Sequence, residues 1–185
     1  MNNRDVLRSL SKDALIELIE LQAKNWLALD GVWFQSVERA FGMDEAMRQD
    51  VEAWRRYGAI EAGRLKAFLK LPERPGLEGL AQALSMRLYS SVNDYELIRD
   101  GDRLVFRNVN CRVQAARARK GMPFHPCKAV GIVEYAGFAA AIDDRIRCRC
   151  LSCYPDVTDE AIGCAWEFRL EDAGAAPGKG GEDDA

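Results

Sequence analysis

Six cysteines carry the chemistry this sequence can do, and all of them fall between residues 111 and 164. Cys111, Cys127, Cys148, Cys150, Cys153 and Cys164 have no companion in the 110 residues before them. Cys150 and Cys153 form a C-x-x-C pair, CLSC. Two thiolates at that spacing reach one zinc or iron when a turn between them points both sulfurs at the same centre. There is no second C-x-x-C, so Cys111, Cys127 and Cys164 must complete such a site from other elements. A metal site is the first expectation, zinc before an iron–sulfur cluster. The alternatives are a reactive or redox thiol with no cofactor, and plain burial, since free cysteine also behaves as a small hydrophobe.

Cys127 has a second role open to it. It falls in the first turn of a helix expected from Pro126, where the partial positive charge favours a thiolate. Glu134 lies seven residues on and shares its face with Gly131 and Phe138. Cys127 and Glu134 are therefore the candidate nucleophile and general base. His125, the only histidine, could be a ligand or a proton carrier. Cys148 shares a strand face with Ile146 and is the cysteine most readily assigned to the core.

Between Arg103 and Val133 there is no Asp or Glu, while seven Arg and Lys residues occur there. Arginine forks bind carboxylate or phosphate in pairs of bonds. Arg112, Arg117, Arg119 and Lys120 are thus candidates for holding a small anionic ligand near Cys127. The alternative is a solvated strand-loop face balanced by acids of the helical half. No aromatic stacking pattern accompanies these charges, so a nucleic-acid partner is disfavoured.

The elements that must position these residues follow from periodicity. Ser11 caps a helix running to about Trp26, and a second helical run covers about Asn25 to Phe41. In that run Trp26, Leu29, Trp33, Val37 and Phe41 make one apolar face, and Trp26, Trp33 and Trp54 are expected in the core. Gly42 suits the C-terminal cap. Asp44 caps a long helix to about Leu69, ended by Pro72 and Pro75. Leu77 to Leu88 forms one more. From Tyr95 the pattern changes to two strands around an Asp-Gly turn, with Cys111 at the end of the second. A helix over Pro126–Ile142 and strands over Asp143–Cys153 and Cys164–Leu170 follow. The expected fold is α+β, with an N-terminal helical layer over residues 1–92 and a four-stranded antiparallel sheet of ββαββ order over 93–170, packed as one unit. Residues 171–185 are expected to be a disordered tail.

Asp30 and Glu38 sit eight residues apart on one helical face, and Asp50 precedes Trp54 by one turn. Either they form a pocket wall that sets a carboxylate against a ligand or an arginine, or they lie at the rim of an amphipathic helix. The second reading is preferred on pattern alone.

Size and composition bound the rest. The chain has 185 residues, 48% hydrophobic and 30% charged, with a net charge of −3. That suits one soluble globular unit and is too weak a charge to imply nucleic acid or membrane from the whole chain. No run of about 18 apolar residues would span a membrane. The start has no apolar signal centre, so a cytoplasmic location is expected, where thiols stay reduced. An exposed apolar helical face would permit a homodimer.

The segments CRVQAARARKG, PCKAVGIVEYAGFAAAID, RIRCRCLSCYPD and CAWEFRL, with NWLALDGVWFQSVERAFG and DVEAWRRY, resemble an uncharacterised family of small cytosolic bacterial and archaeal proteins over about residues 20 to 170. Some of its members are similar to L-2-amino-thiazoline-4-carboxylate hydrolases. More distantly, the late part resembles the small-molecule-binding domain of 4-vinyl reductase type, whose cysteines often bind zinc. The resemblance carries over onto Cys111, Cys127, Cys150, Cys153 and Cys164 and leaves out Cys148. Five cysteines exceed the four of a tetrahedral zinc site, so one is a spare thiol, an alternative ligand or a nucleophile. Three functions stand as expectations. One is a small-molecule- and metal-binding protein. Another is a hydrolase of a small cyclic carboxylate, in which Cys127 or a metal-bound water attacks, Glu134 moves protons and Arg117 or Arg119 holds the carboxylate. The last is a thiol redox sensor using Cys150 and Cys153.

Overall fold

Ser11 Oγ accepts a hydrogen bond from Ala14 N at 3.1 Å and opens a helix that does not stop for 30 residues. The computed structural model describes residues 2–158 and 163–171. The expected tail lies outside the described residues beyond Glu171. A short helix α1 (Asn3–Arg8) precedes α2 (Lys12–Phe41), and α3 (Met43–Phe68) follows across Gly42, whose φ of 87° only glycine adopts freely. The two helices expected around Asn25 are thus one. Good helix formers surround that point, and Gly31 is carried inside the helix. The first turn of α3 starts a residue before Asp44, and Asp44 and Glu45 sit within it rather than at its cap.

Helix α4 (Gly76–Ser85) and a 3₁₀ turn over Leu88–Ser91 lead to the sheet. Strands β1 (Asp94–Asp100) and β2 (Arg103–Asn110) form a hairpin whose two-residue loop begins at Gly101, φ 56°. Helices α5 (Arg112–Arg119) and α6 (Lys128–Ile142) come next, then β3 (Ile146–Cys153) and β4 (Cys164–Leu170). The sheet is antiparallel, in the order β1-β2-β4-β3. The class is α+β, as expected. The order departs from ββαββ by one helix, α5. RVQAARAR has good helix formers but no apolar stripe, so nothing periodic announces it. Cys111 accordingly does not end β2; it is the residue from which α5 starts.

One core joins the helices to the sheet. Leu80 and Leu84 of α4, Phe138 and Ile142 of α6, and Leu104, Phe106, Ile146, Trp166 and Phe168 of the strands are all buried together. Helix α6 is apolar almost all round because α3 covers one side and the sheet the other. The approach of α3 is close: a Cβ on Gly58 would lie 3.3 Å from the Glu134 carbonyl oxygen.

Helix α2 inverts the expected pattern. Trp33 is 69% exposed, Leu29 68% and Phe41 74%, so three of the five residues of the apolar face read from the sequence point outward, while Trp26 and Val37 are half-buried. Its inward face carries Ala23, Trp26, Asp30, Phe34 and Glu38. Of the three tryptophans expected in the core, Trp54 is buried, Trp26 is partly covered by Trp54, Tyr57 and Tyr89, and Trp33 is at the surface.

Candidate functional site

Between α2, α3, α5, α6 and the inner face of the sheet lies a cavity of about 380 Å³. It exists partly because Gly131 leaves room for a ring: a Cβ there would meet Trp166 at 2.3 Å. Four thiols reach its wall, Cys111, Cys127, Cys153 and Cys164, each from a different element. Cys148 and Cys150 lie outside the lining.

A bulge brings Cys153, the second member of the C-x-x-C pair, onto the inner face of the sheet. In β3, Cys148 pairs with Phe168 and Cys150 with Trp166, but the register shifts at Leu151, so Ser152 pairs with Ala165 and Cys153 with Cys164. The extra residue returns Cys153 to the face that Cys148 and Cys150 occupy. CLSC is therefore bulged strand rather than a turn, and its two sulfurs are not gathered on one point by a loop.

The thiols form a chain. Cys127 Sγ and Cys153 Sγ are 3.5 Å apart, and Cys153 stands opposite Cys164 across the β3–β4 ladder. Cys153 in the middle is pushed far up, first by its bond to Cys127 and then by that to Cys164. The outer pair moves the other way. The Cys153 hydrogen bond lowers Cys127, against burial and with help from His125, and it lowers Cys164, against burial and with help from Trp166 Nε1 at 3.2 Å. Cys111 is pushed up to about 11 and Cys148 to about 12, both chiefly by burial. The arrangement favours the thiolate form at the two outer positions and the thiol form in the middle.

Gln114 of α5 holds the loop before Cys127. Its Nε2 donates to His125 O at 2.8 Å, its Oε1 accepts from His125 N at 2.9 Å, and Nε2 lies 3.6 Å from Cys127 Sγ. His125 is buried, its ring edge-on to Phe34, with Nε2 3.6 Å from Asp50 Oδ2. Burial pushes Asp50 up to about 7, opposed by His125 and reinforced by Asp30 and Glu134. Asp30 is also raised by burial, and Tyr89 Oη donates to it at 3.3 Å.

Glu134 is on the cavity wall and is already engaged: Arg87 Nη2 lies 2.7 Å from its Oε1, while Arg87 Nε donates to Glu61 at 2.9 Å. Burial raises Glu134 despite that guanidinium. Arg117 is likewise taken. It forks onto Glu38 at 3.0 and 2.8 Å and gives its Nε to Pro123 O at 2.6 Å. Arg112, Arg119 and Lys120 line the same cavity and have no carboxylate partner among the described residues. Much of the remaining basic stretch is spent within the fold: Arg103 on Asp100 and Glu167, Arg107 on Glu96, Lys128 on Asp156.

Asp30, Glu38 and Asp50 thus belong to the cavity side of the helical layer, the pocket-wall arrangement rather than the rim. Arg87, Tyr89, Asn108 and Gln114 were not singled out from the sequence. Arg87 and Tyr89 sit in an aperiodic connection, and Gln114 lies in the unannounced α5. Asn108 carried a signal, as a polar residue at an inward position of β2 between Phe106 and the strand end.

Among the described residues, no group of three or more His, Cys, Asp or Glu already stands in metal-holding geometry. No described helix is long and apolar enough to cross a membrane. No curated protein matches the chain. The family model that does match spans residues 8–170, and the chain belongs to that family of unknown function, DUF6125.

Proposed function

We propose that the protein binds a small molecule in this cavity and a soft metal, zinc in the first instance, at the cavity's thiol end. The observation that carries the reading is the convergence of Cys111, Cys127, Cys153 and Cys164 from four elements on one wall. Four is the number of ligands a structural zinc takes, which reduces the five candidate cysteines to four without Cys150. The 3.5 Å between Cys127 and Cys153 sulfurs is close to the roughly 3.8 Å edge of a tetrahedron with Zn–S of about 2.3 Å. Cys164 and Cys111 would have to draw in around the ion, as the described geometry is not yet closed. An iron–sulfur cluster is the alternative occupant for the same thiols. The metal would neutralise thiolates that otherwise repel. Arg112, Arg119 and Lys120 give the cavity a basic side suited to an anionic group on the ligand. A reducing, cytoplasmic setting keeps such thiols available. The outward Leu29 and Trp33 favour a homodimer across α2.

The test is metal and sulfide content of untagged protein purified without air. About one zinc per chain is expected, lost in Cys153→Ser and Cys164→Ser and retained in Cys148→Ser and Cys150→Ser. Six free thiols with no metal in folded protein would sink the reading.

A second reading is a hydrolase of a small cyclic carboxylate such as 2-amino-thiazoline-4-carboxylate. It is favoured by Cys127, His125 and Asp50 lining one cavity, which offers a nucleophile, an imidazole and a carboxyl 3.6 Å from that imidazole. Glu134 is held by Arg87 and Arg117 by Glu38, so His125 would move the proton and Arg112 or Arg119 would hold the carboxylate. Turnover lost in Cys127→Ser with metal content unchanged would select it. For a redox role the pair with touching sulfurs is Cys127 and Cys153, in place of Cys150 and Cys153.

A further inference from the structure

Charge inside the helical layer does not balance. Asp30, Asp50, Glu61 and Glu134 lie near enough to raise one another's cost of ionisation. Arg87, itself 2% exposed, answers Glu61 and Glu134. That leaves Asp30 and Asp50, both on the cavity wall, with no lysine or arginine ion pair among the described residues. Tyr89 Oη on Asp30 brings no charge, and the single imidazole, His125, stands 3.6 Å from Asp50. Neither carboxyl has a fixed cation beside it, so ionising either in this enclosed space goes unanswered.

A second observation comes from the sheet. Asn108 lines the same cavity from the inward face of β2 and is 8% exposed. Its Nδ2 approaches Cys164 Sγ at 3.6 Å, while its Oδ1 has no hydrogen-bond partner. A buried carbonyl oxygen without a donor is rare, because leaving it unmet costs stability. An occupant that donates N–H would meet it. Trp54, Tyr89 and Phe34 add aromatic surface to the same wall, which attracts cations at ring faces.

We infer, building on the reading of this cavity as a ligand site, that its ligand carries a protonated amine held by Asp30 and Asp50. An ammonium group has three donors and one charge, which is the deficit on this wall. The basic side of Arg112, Arg119 and Lys120 then takes an acidic group of the same molecule, so the ligand class is a small amino acid or other zwitterion.

The test compares three probes of one shape by calorimetric titration into the metal-loaded protein: 2-phenylethylamine, 2-phenylethanol and phenylacetate. The amine should bind at least about tenfold tighter than the alcohol, and Asp50→Asn and Asp30→Asn should each abolish that preference while zinc content stays unchanged. An amine that binds no better than the alcohol overturns the inference, and phenylacetate binding in that case leaves the cavity reading standing. Binding of none of the three at 10 mM, a concentration chosen to reveal affinities of about 1 mM, also overturns it. The metal content then reports separately on the thiol end.

Discussion

Replacing Asp50 by asparagine should stabilise the ligand-free protein at neutral pH and remove much of its pH dependence. Burial moves this carboxyl from 3.8 to about 7, with its side chain 14% exposed. The sign follows from linkage. A group whose value is raised by folding binds protons more tightly in the folded state, so its favourable contribution is complete below about 3.8 and is lost as pH rises through about 7. The loss runs at about 1.4 kcal/mol per pH unit over that window and reaches about 4 kcal/mol, an upper figure because the cavity admits some water. Asparagine keeps the shape and an acceptor for His125 Nε2 but has nothing to ionise. The two proteins should therefore match near pH 4 and separate steadily to pH 7.5, with the variant more stable. Urea unfolding monitored by tryptophan fluorescence at half-unit pH intervals reads this directly. With a slope of about 2 kcal/mol per M, the midpoint of the variant should lie as much as about 2 M higher at pH 7.5. Taking the difference between the two proteins removes the groups that titrate alike in both and leaves Asp50 with its coupling to His125, Asp30 and Glu134. Parallel curves across the whole range would refute the reasoning, because they would mean Asp50 is as well hydrated in the fold as in the unfolded chain.

Other consequences are as open to measurement. Gly131→Ala puts a methyl 2.3 Å from Trp166 and should cost about 1–3 kcal/mol, whereas Gly137→Ala, with nothing within 4 Å, should be neutral or stabilise by up to about 1 kcal/mol in the same urea assay. Trp54→Ala should cost about 3–5 kcal/mol and Trp33→Ser less than about 0.5 kcal/mol in monomer stability, a contrast that equal losses would overturn. In metal-free protein at pH 6.5, iodoacetamide should label Cys127 first and the buried Cys153 and the raised Cys148 last, as read by mass spectrometry of timed digests; early labelling of Cys148 or Cys153 would contradict their elevated values.

How much of this could be read from the residues depends on whether a pattern had one physical cause. The hairpin, α6 and β4 did: an Asp-Gly turn between alternating residues, an apolar run after Pro126, and Cys164, Trp166, Phe168 and Leu170 in strict alternation. Reading Cys111 and Cys164 toward the Cys153 end of the sheet needed only strand order, and Cys153 indeed pairs with Cys164. The bulge at Leu151 has no marker in CLSC, so spacing alone could not say that Cys153 shares the inner face with Cys150, nor that Cys153 is the one that reaches the cavity. Helix α5 has no apolar stripe, and with it went Gln114, whose amide clamps the His125 backbone.

Helix α2 failed for a more instructive reason. Periodicity finds the face that is apolar, and the inference that this face is buried holds only where burial serves packing alone. Here the buried face carries Asp30 and Glu38, and the outward one carries Leu29, Trp33 and Phe41. Turning α2 about its axis would hide the tryptophan and release both carboxylates to water, so the observed orientation must be held by interactions specific to the inner face. The polar ones are the Arg117 fork on Glu38 and the Tyr89 hydroxyl on Asp30, beside the packing of Trp26 on Trp54, Tyr57 and Tyr89 and of Phe34 on His125. The fork is one α2 would lose on turning, and breaking one side of such a buried pair typically costs about 3–5 kcal/mol. A helix kept against its own hydrophobic preference by contacts to a cavity is what a binding site demands. It follows that Arg117 is a positioning residue for Asp30, acting through α2, although it touches the cavity wall itself. Arg117→Met should therefore weaken binding of 2-phenylethylamine and quench the exposure of Trp33, seen as a blue shift of its emission, while Arg119→Met should do neither.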